Sequence, residues 1–141
     1  MEDLQVQTLI EHARRAAGSA YAKYSGFRVG AALLCGDGSI VTGFNIENRS
    51  YGLTVCAERA AVFSALTSGK STFLEIAIVG LDSAVPLPPC GACRQVLTEF
   101  LPPDAPVHFS CNSGKTETVR LGDLLPYDSL QDFAPPGQGG N

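Results

Sequence analysis

The sequence predicts an α/β protein: a three-layer α/β/α sandwich around a central mixed five-stranded sheet, in the element order αββαβαββα. Segments of helical and of strand period alternate along the chain instead of segregating, which places helices on both faces of a sheet. A Gly36-Asp37-Gly38 turn between two apolar runs predicts a β-hairpin, the antiparallel part of that sheet. The strand–helix–strand–helix–strand run over 40–111 requires crossovers between parallel strands.

Each element has its own signal. Leu4, Leu9, Ile10, Ala13, Ala16, Ala17 and Ala20 recur at three- and four-residue spacing, so 4–22 reads as a helix. Residues 29–35 are an apolar run, and strand character resumes at 40–45 after the turn. Residues 55–66 are Ala-rich and helical, stopped near Gly69. Ile76, Ala77, Ile78 and Val79 mark a buried strand over 73–81. A Pro-rich turn at 86–89 precedes a helix over 91–101. Strands at 106–111 and 117–120 and a short helix at 121–125 complete the order.

The 141 residues are enough for one domain with a real core, assigned to 1–133. Residues 134–141, rich in Pro, Gly and Gln, read as a flexible tail. Apolar residues make up 45% and charged residues 17%, the balance of a globular chain. No apolar run is long enough to span a membrane, and the acidic start is unlike a signal peptide, so the expected location is the cytoplasm. The net charge is −4, and Lys and Arg are scattered, with Arg14-Arg15 as the one adjacent pair. That argues against a nucleic-acid partner and for a small, uncharged substrate.

Five cysteines stand at 35, 56, 90, 93 and 111. An odd number without a secretion signal argues against a disulfide framework. Cys35 and Cys111 lie in apolar, strand-like surroundings and read as small buried hydrophobes. The chemistry lies in Cys56-Ala57-Glu58-Arg59 and in Pro89-Cys90-Gly91-Ala92-Cys93-Arg94-Gln95. One crossover unit separates these segments, so two helix N-termini can meet at one end of the sheet, where open α/β sheets place ligands. Helix N-termini favour thiolates, the form of cysteine that binds zinc. Cys90 and Cys93, three apart, share a helical face. Three protein ligands leave a fourth position open for water, as in a catalytic zinc site. Glu58, in the first turn beside Cys56, is the candidate proton carrier, and Arg59 is the candidate cation to offset three thiolates.

Together the two segments resemble the zinc-dependent nucleoside and nucleotide deaminase superfamily. Within it, the chain is similar to the small homotetrameric cytidine deaminases from about residue 20 to 126. The likeness rests on the two cysteine segments, on Tyr24-Ser25-x-Phe27-x-Val29-Gly30-Ala31-Ala32, on Gly43-Phe44-Asn45-Ile46-Glu47-Asn48, on Tyr51 and on Leu124-Leu125-Pro126. It implies one Zn2+ per subunit held by Cys56, Cys90 and Cys93. It implies hydrolytic deamination of free cytidine and 2′-deoxycytidine, with release of ammonia, as in pyrimidine salvage. Glu58 would shuttle protons. Asn45 and Glu47 would bind the ribose 3′-hydroxyl, and their i, i+2 spacing at a strand end suits one shared face. Phe27 would pack on the pyrimidine, the Ala57 N–H would meet the cytosine carbonyl, and Tyr51 would contribute across a subunit boundary of a homotetramer.

Two positions depart from that pattern. Pro88 stands where the family has Ser or Thr, at a position that needs only a backbone carbonyl. Ser129 stands where the family has a Phe reaching a neighbouring subunit; Tyr127, Leu130 and Phe133 are the candidate replacements. Three other readings remain. One is a deaminase of a nucleotide, a nucleoside antibiotic or an RNA base on the same scaffold. Another is a closed zinc module with Cys35 or Cys111 as fourth ligand. The last is a Cys90/Cys93 redox pair. His12, expected on an exposed helix, and His108, in a strand, match no motif and read as structural.

Overall fold

A computed structural model describes residues 3–131. The expected tail at 134–141, the domain boundary at 133 and Phe133 lie outside the described residues. The chain runs α1 (Leu4–Ala17), β1 (Val29–Cys35), β2 (Ile40–Phe44), a 3-10 turn (Tyr51–Leu53), α2 (Ala57–Thr67), β3 (Phe73–Gly80), α3 (Gly91–Phe100), β4 (Pro106–Ser110), β5 (Thr116–Arg120) and α4 (Leu121–Leu124). The five strands form one sheet in the order β2-β1-β3-β4-β5. Only β3 and β4 pair in parallel; the other neighbours are antiparallel. The expected mixed sheet with helices on both faces is the observed one.

Side-chain alternation assigns the layers. Ala32, Leu34, Ala77 and Val79 meet Leu9, Ile10 and Ala13 of α1 on one face. Ala31, Leu33, Ile76, Ile78, Val107 and Phe109 point to the other, against Ala57, Ala61, Val62 and Ala65 of α2 and Leu97 of α3. Each fully buried Leu or Ile in these layers contributes about 1.5–3 kcal/mol. His108 is buried on the α1 side of the sheet. Its Nε2 lies 2.9 Å from Glu75 Oε1 and its Nδ1 2.8 Å from Thr118 Oγ1, so it is a satisfied structural histidine. His12 is half-buried, less exposed than the sequence suggests.

One expected boundary moves. The first helix stops at Ala17 instead of 22, and Gly18 caps it with bonds to the carbonyls of Ala16 and Arg15. The Ala-rich periodicity beyond it is overridden by pairing at the edge of β2. The Tyr21 N–H bonds the Asn45 carbonyl at 3.0 Å, and the Glu47 N–H bonds the Tyr21 carbonyl at 2.9 Å. Residue 21 therefore leaves the helix to run beside 45–47.

Two features position the functional end of the sheet. β2 and β3 run in the same direction with β1 between them, and β3 and β4 are parallel neighbours. Both crossovers thus start α2 and α3 at the same sheet end. Gly43 of β2 brings α2 close, because a Cβ there would lie 2.4 Å from the Ala61 nitrogen and 2.7 Å from the Ala57 carbonyl oxygen. Among the described residues, no helix is long and apolar enough to cross a membrane.

Candidate metal centre

Cys56 and Cys90 are the N-cap residues of α2 and α3. Both have extended backbone, and neither side chain makes a capping bond, so the two sulfurs are free to face each other. They lie 3.7 Å apart. Cys93, in the first turn of α3, completes a group whose sulfurs all lie within 4.8 Å of one another. Two sulfurs at about 2.3 Å from a tetrahedral zinc are separated by about 3.8 Å, so the trio fits that ion. Neither Cys35 nor Cys111 joins the group; both are buried elsewhere, and all five cysteines are free thiols. Among the described residues, the closed four-ligand module therefore lacks its fourth cysteine.

The electrostatics prepare a thiolate. The Cys56 thiol is held down to about 5, first by its hydrogen bond with Cys93 and then by Arg59, against the opposing effect of burial. Cys93 is pushed up, first by that same bond and then by its burial. The guanidinium of Arg59 approaches from one turn along α2, with Nη2 3.4 Å from the Cys56 sulfur. That contact raises the arginine further above its ordinary range, so it stays charged. Its Nε is buried without a hydrogen-bond partner. An arginine accepts that cost where the charge it faces is large.

Glu58 is 4% exposed. Burial is the main cause that pushes its carboxyl up to about 7, and the Cys56 charge adds to it. Its own backbone N–H and the Cys93 thiol pull in the opposite direction. A carboxyl poised near neutrality beside a metal-binding group suits proton transfer in either direction.

The remaining expected site residues gather at the same end. The Ile46 N–H bonds the Val55 carbonyl at 2.9 Å, and the return bond is 3.0 Å, which holds 45–47 against the residue before Cys56. Asn45 is buried; its Oδ1 accepts from the Val29 N–H and its Nδ2 donates to the Phe27 carbonyl, each at 2.9 Å. Glu47 Oε1 accepts from the Tyr24 and Ser25 N–H groups at 3.0 and 3.1 Å. Asn45 and Glu47 thus reach the same turn, as their spacing suggests. Phe27, expected to stack on a base, is 37% exposed. Tyr51 is 75% exposed and meets the Tyr24 ring edge-on at 6.1 Å. Ala57, the first residue of α2, is buried.

The family profile described as the cytidine and deoxycytidylate deaminase zinc-binding region matches residues 4–108. The chain belongs to this family. The family's zinc-binding description fits the Cys56, Cys90 and Cys93 group, the one such group found among the described residues. A cytidine deaminase of Halalkalibacterium halodurans is 49% identical over 120 residues, covering 85% of this chain and 90% of that one. A cytidine deaminase of Mycobacterium tuberculosis is 46% identical over 130 residues, covering 89% and 90%. A crystal structure of cytidine deaminase from Burkholderia pseudomallei superposes with a TM-score of 0.82 at 48% identity, covering 85% of this chain and 95% of that one.

Two residues outside the expected set bond to the segments that carry the expected ones. Arg94 bonds the Pro89 carbonyl through Nε at 2.8 Å and the Leu124 carbonyl through Nη1 at 3.1 Å. It fastens the loop that carries Cys90 to the C-terminal segment. Its position directly after Cys93 was the available signal. The second is Ser25, which donates to Glu47 Oε2 and accepts from the Phe27 N–H at 3.0 Å. Of the candidate replacements for the family's Phe at Ser129, Tyr127 is 93% exposed and Leu130 is exposed but not aromatic.

Proposed function

We propose that the chain is a cytidine deaminase, a hydrolase that converts free cytidine and 2′-deoxycytidine to uridine and 2′-deoxyuridine and releases ammonia. The observation that carries this reading is a buried Glu58 beside three clustered thiols in a member of the deaminase family. The closely related cytidine deaminases support cytidine as substrate.

Cys56, Cys90 and Cys93 would hold the zinc, which supplies Lewis acidity and lowers the pKa of water to near neutral. Glu58 takes a proton from the water that adds at C4 and delivers it to N3. It then takes the proton of the new hydroxyl and gives it to the C4 amine. The C4–N4 bond breaks, ammonia leaves, and the C4 carbonyl of uridine forms. Phe27 faces the ring. Asn45 and Glu47 take the 3′-hydroxyl, and the Ala57 N–H, unpaired within the first turn of α2, meets the cytosine carbonyl. A carboxylate at the sugar edge repels a 5′-phosphate and suits a free nucleoside.

The same reading has a homotetramer whose sites are shared between subunits, with the exposed Tyr51 and Tyr127 available to a neighbour. It makes 1–133 a single domain and puts the enzyme in the cytoplasm, in pyrimidine salvage. The test is loss of the cytosine absorbance band on incubating the purified chain with cytidine, deoxycytidine, CMP and blasticidin S. Cytidine and deoxycytidine are the expected substrates. Faster turnover of CMP or blasticidin S than of cytidine overturns the assignment.

A further inference from the structure

Both backbone polar groups of Phe27 are held by side chains, those of Asn45 and Ser25. Its carbonyl takes a hydrogen bond from Asn45 Nδ2 at 2.9 Å. Its N–H donates to Ser25 Oγ at 3.0 Å, and that same hydroxyl donates to Glu47 Oε2. The turn between them needs Gly26, whose φ is +72° and whose N–H bonds the Ala22 carbonyl at 2.8 Å.

Lone-pair counting shows what the serine does. An ionised carboxylate offers about four acceptor positions. In Glu47, the Tyr24 and Ser25 N–H groups occupy Oε1, and the Ser25 hydroxyl occupies one position of Oε2. The acceptor position left is on Oε2, and the serine hydroxyl fixes its direction. These three donors also hold the Glu47 carboxyl below its ordinary range, the Ser25 hydroxyl first among them. An ionised, oriented oxygen is what a sugar hydroxyl needs as an acceptor.

We propose that Ser25 is a positioning residue for substrate binding: it aims the free acceptor of Glu47 at the sugar hydroxyl and, through the same oxygen, sets the turn that presents Phe27 to the base. This rests on the nucleoside-deaminase reading above. Recognition of the sugar and of the base is thereby joined in one hydrogen-bonded chain, Glu47–Ser25–Phe27.

The test compares cytidine with 3′-deoxycytidine as substrates of the zinc-loaded wild type, Ser25→Ala and Ser25→Thr. The wild type should prefer cytidine. In Ser25→Ala, KM for cytidine should rise roughly tenfold, the size of a lost charge-assisted bond. KM for 3′-deoxycytidine should rise less, through the loosened Phe27 turn alone, so the preference shrinks. Ser25→Thr keeps the hydroxyl and should retain the preference. A wild-type preference that survives undiminished in Ser25→Ala overturns the role of Ser25 and leaves the deaminase reading intact, as does an equal loss of kcat on both nucleosides. A wild type indifferent to the 3′-hydroxyl instead overturns the assignment of Glu47 to the sugar, and the proposal with it.

Discussion

The Arg59 guanidinium lies 3.4 Å from the Cys56 sulfur, one turn along the helix that Cys56 begins. Three thiolates around a Zn2+ would leave a net charge of −1, which this cation would offset. Arg59→Gln should therefore lower both turnover and zinc affinity, by roughly 10–100-fold in line with other residues that support metal ligands. Zinc retained per chain against a graded chelator, measured alongside kcat, checks this. Wild-type values for both would remove Arg59 from the site.

Glu58→Gln keeps the size of the side chain and removes its ability to carry protons. Turnover of cytidine should fall by roughly 10²–10⁴-fold, the usual weight of general acid–base catalysis. Zinc content should stay at the wild-type level. Activity within a few-fold of wild type, or activity lost only together with the metal, would sink the assigned role.

The cysteines divide into two sets. Cys56→Ser, Cys90→Ser and Cys93→Ser should each release zinc and abolish activity, because the sulfurs form one group. Cys35→Ser and Cys111→Ser should keep the metal, although a polar atom in a buried site costs about 1–3 kcal/mol of stability. Chelation of the wild type should abolish turnover, and added zinc should restore it. Metal analysis of all five variants separates the sets.

Acid stability should depend on the fork between Arg28 and Asp82, whose paired contacts are 2.9 and 2.8 Å. Arg28 holds the Asp82 carboxyl down at about 2. An unfolded aspartate titrates near about 3.9. A depressed carboxylate stabilises fully above the unfolded value and loses that contribution as pH falls through the folded one. Stability should thus decline between about pH 4 and 2, and Asp82→Asn should flatten that part of the curve. Denaturant midpoints across this range are the measurement. An unchanged slope in the variant would show that the fork contributes nothing.

Much of the fold was legible because alternation and helical period survive in the segments that bury one face. The first helix was misjudged for a physical reason. Ala20 continues its period, but Tyr21 is claimed by backbone bonds to Asn45 and Glu47, which sequence pattern does not register. The metal group was legible because Cys56, Cys90 and Cys93 are constrained by spacing as well as by type. The role of Ser25 was hidden, since an exposed serine beside a glycine reads as turn chemistry. Its partner Glu47 is 22 residues away along the chain.

The helix starts contrast in one respect. Asp3 closes α1 with its own carboxylate, accepting from the Val6 N–H at 2.8 Å. Cys56 and Cys90 stand in the same position on α2 and α3 but make no such bond, forgoing about 1 kcal/mol at each end. The uncapped sulfurs would be left for the ion, which would then tie the two helix ends together. Loading the metal would then also be a folding step: apo chains should fray at both helices together, and thermal resistance should track zinc content as closely as activity does.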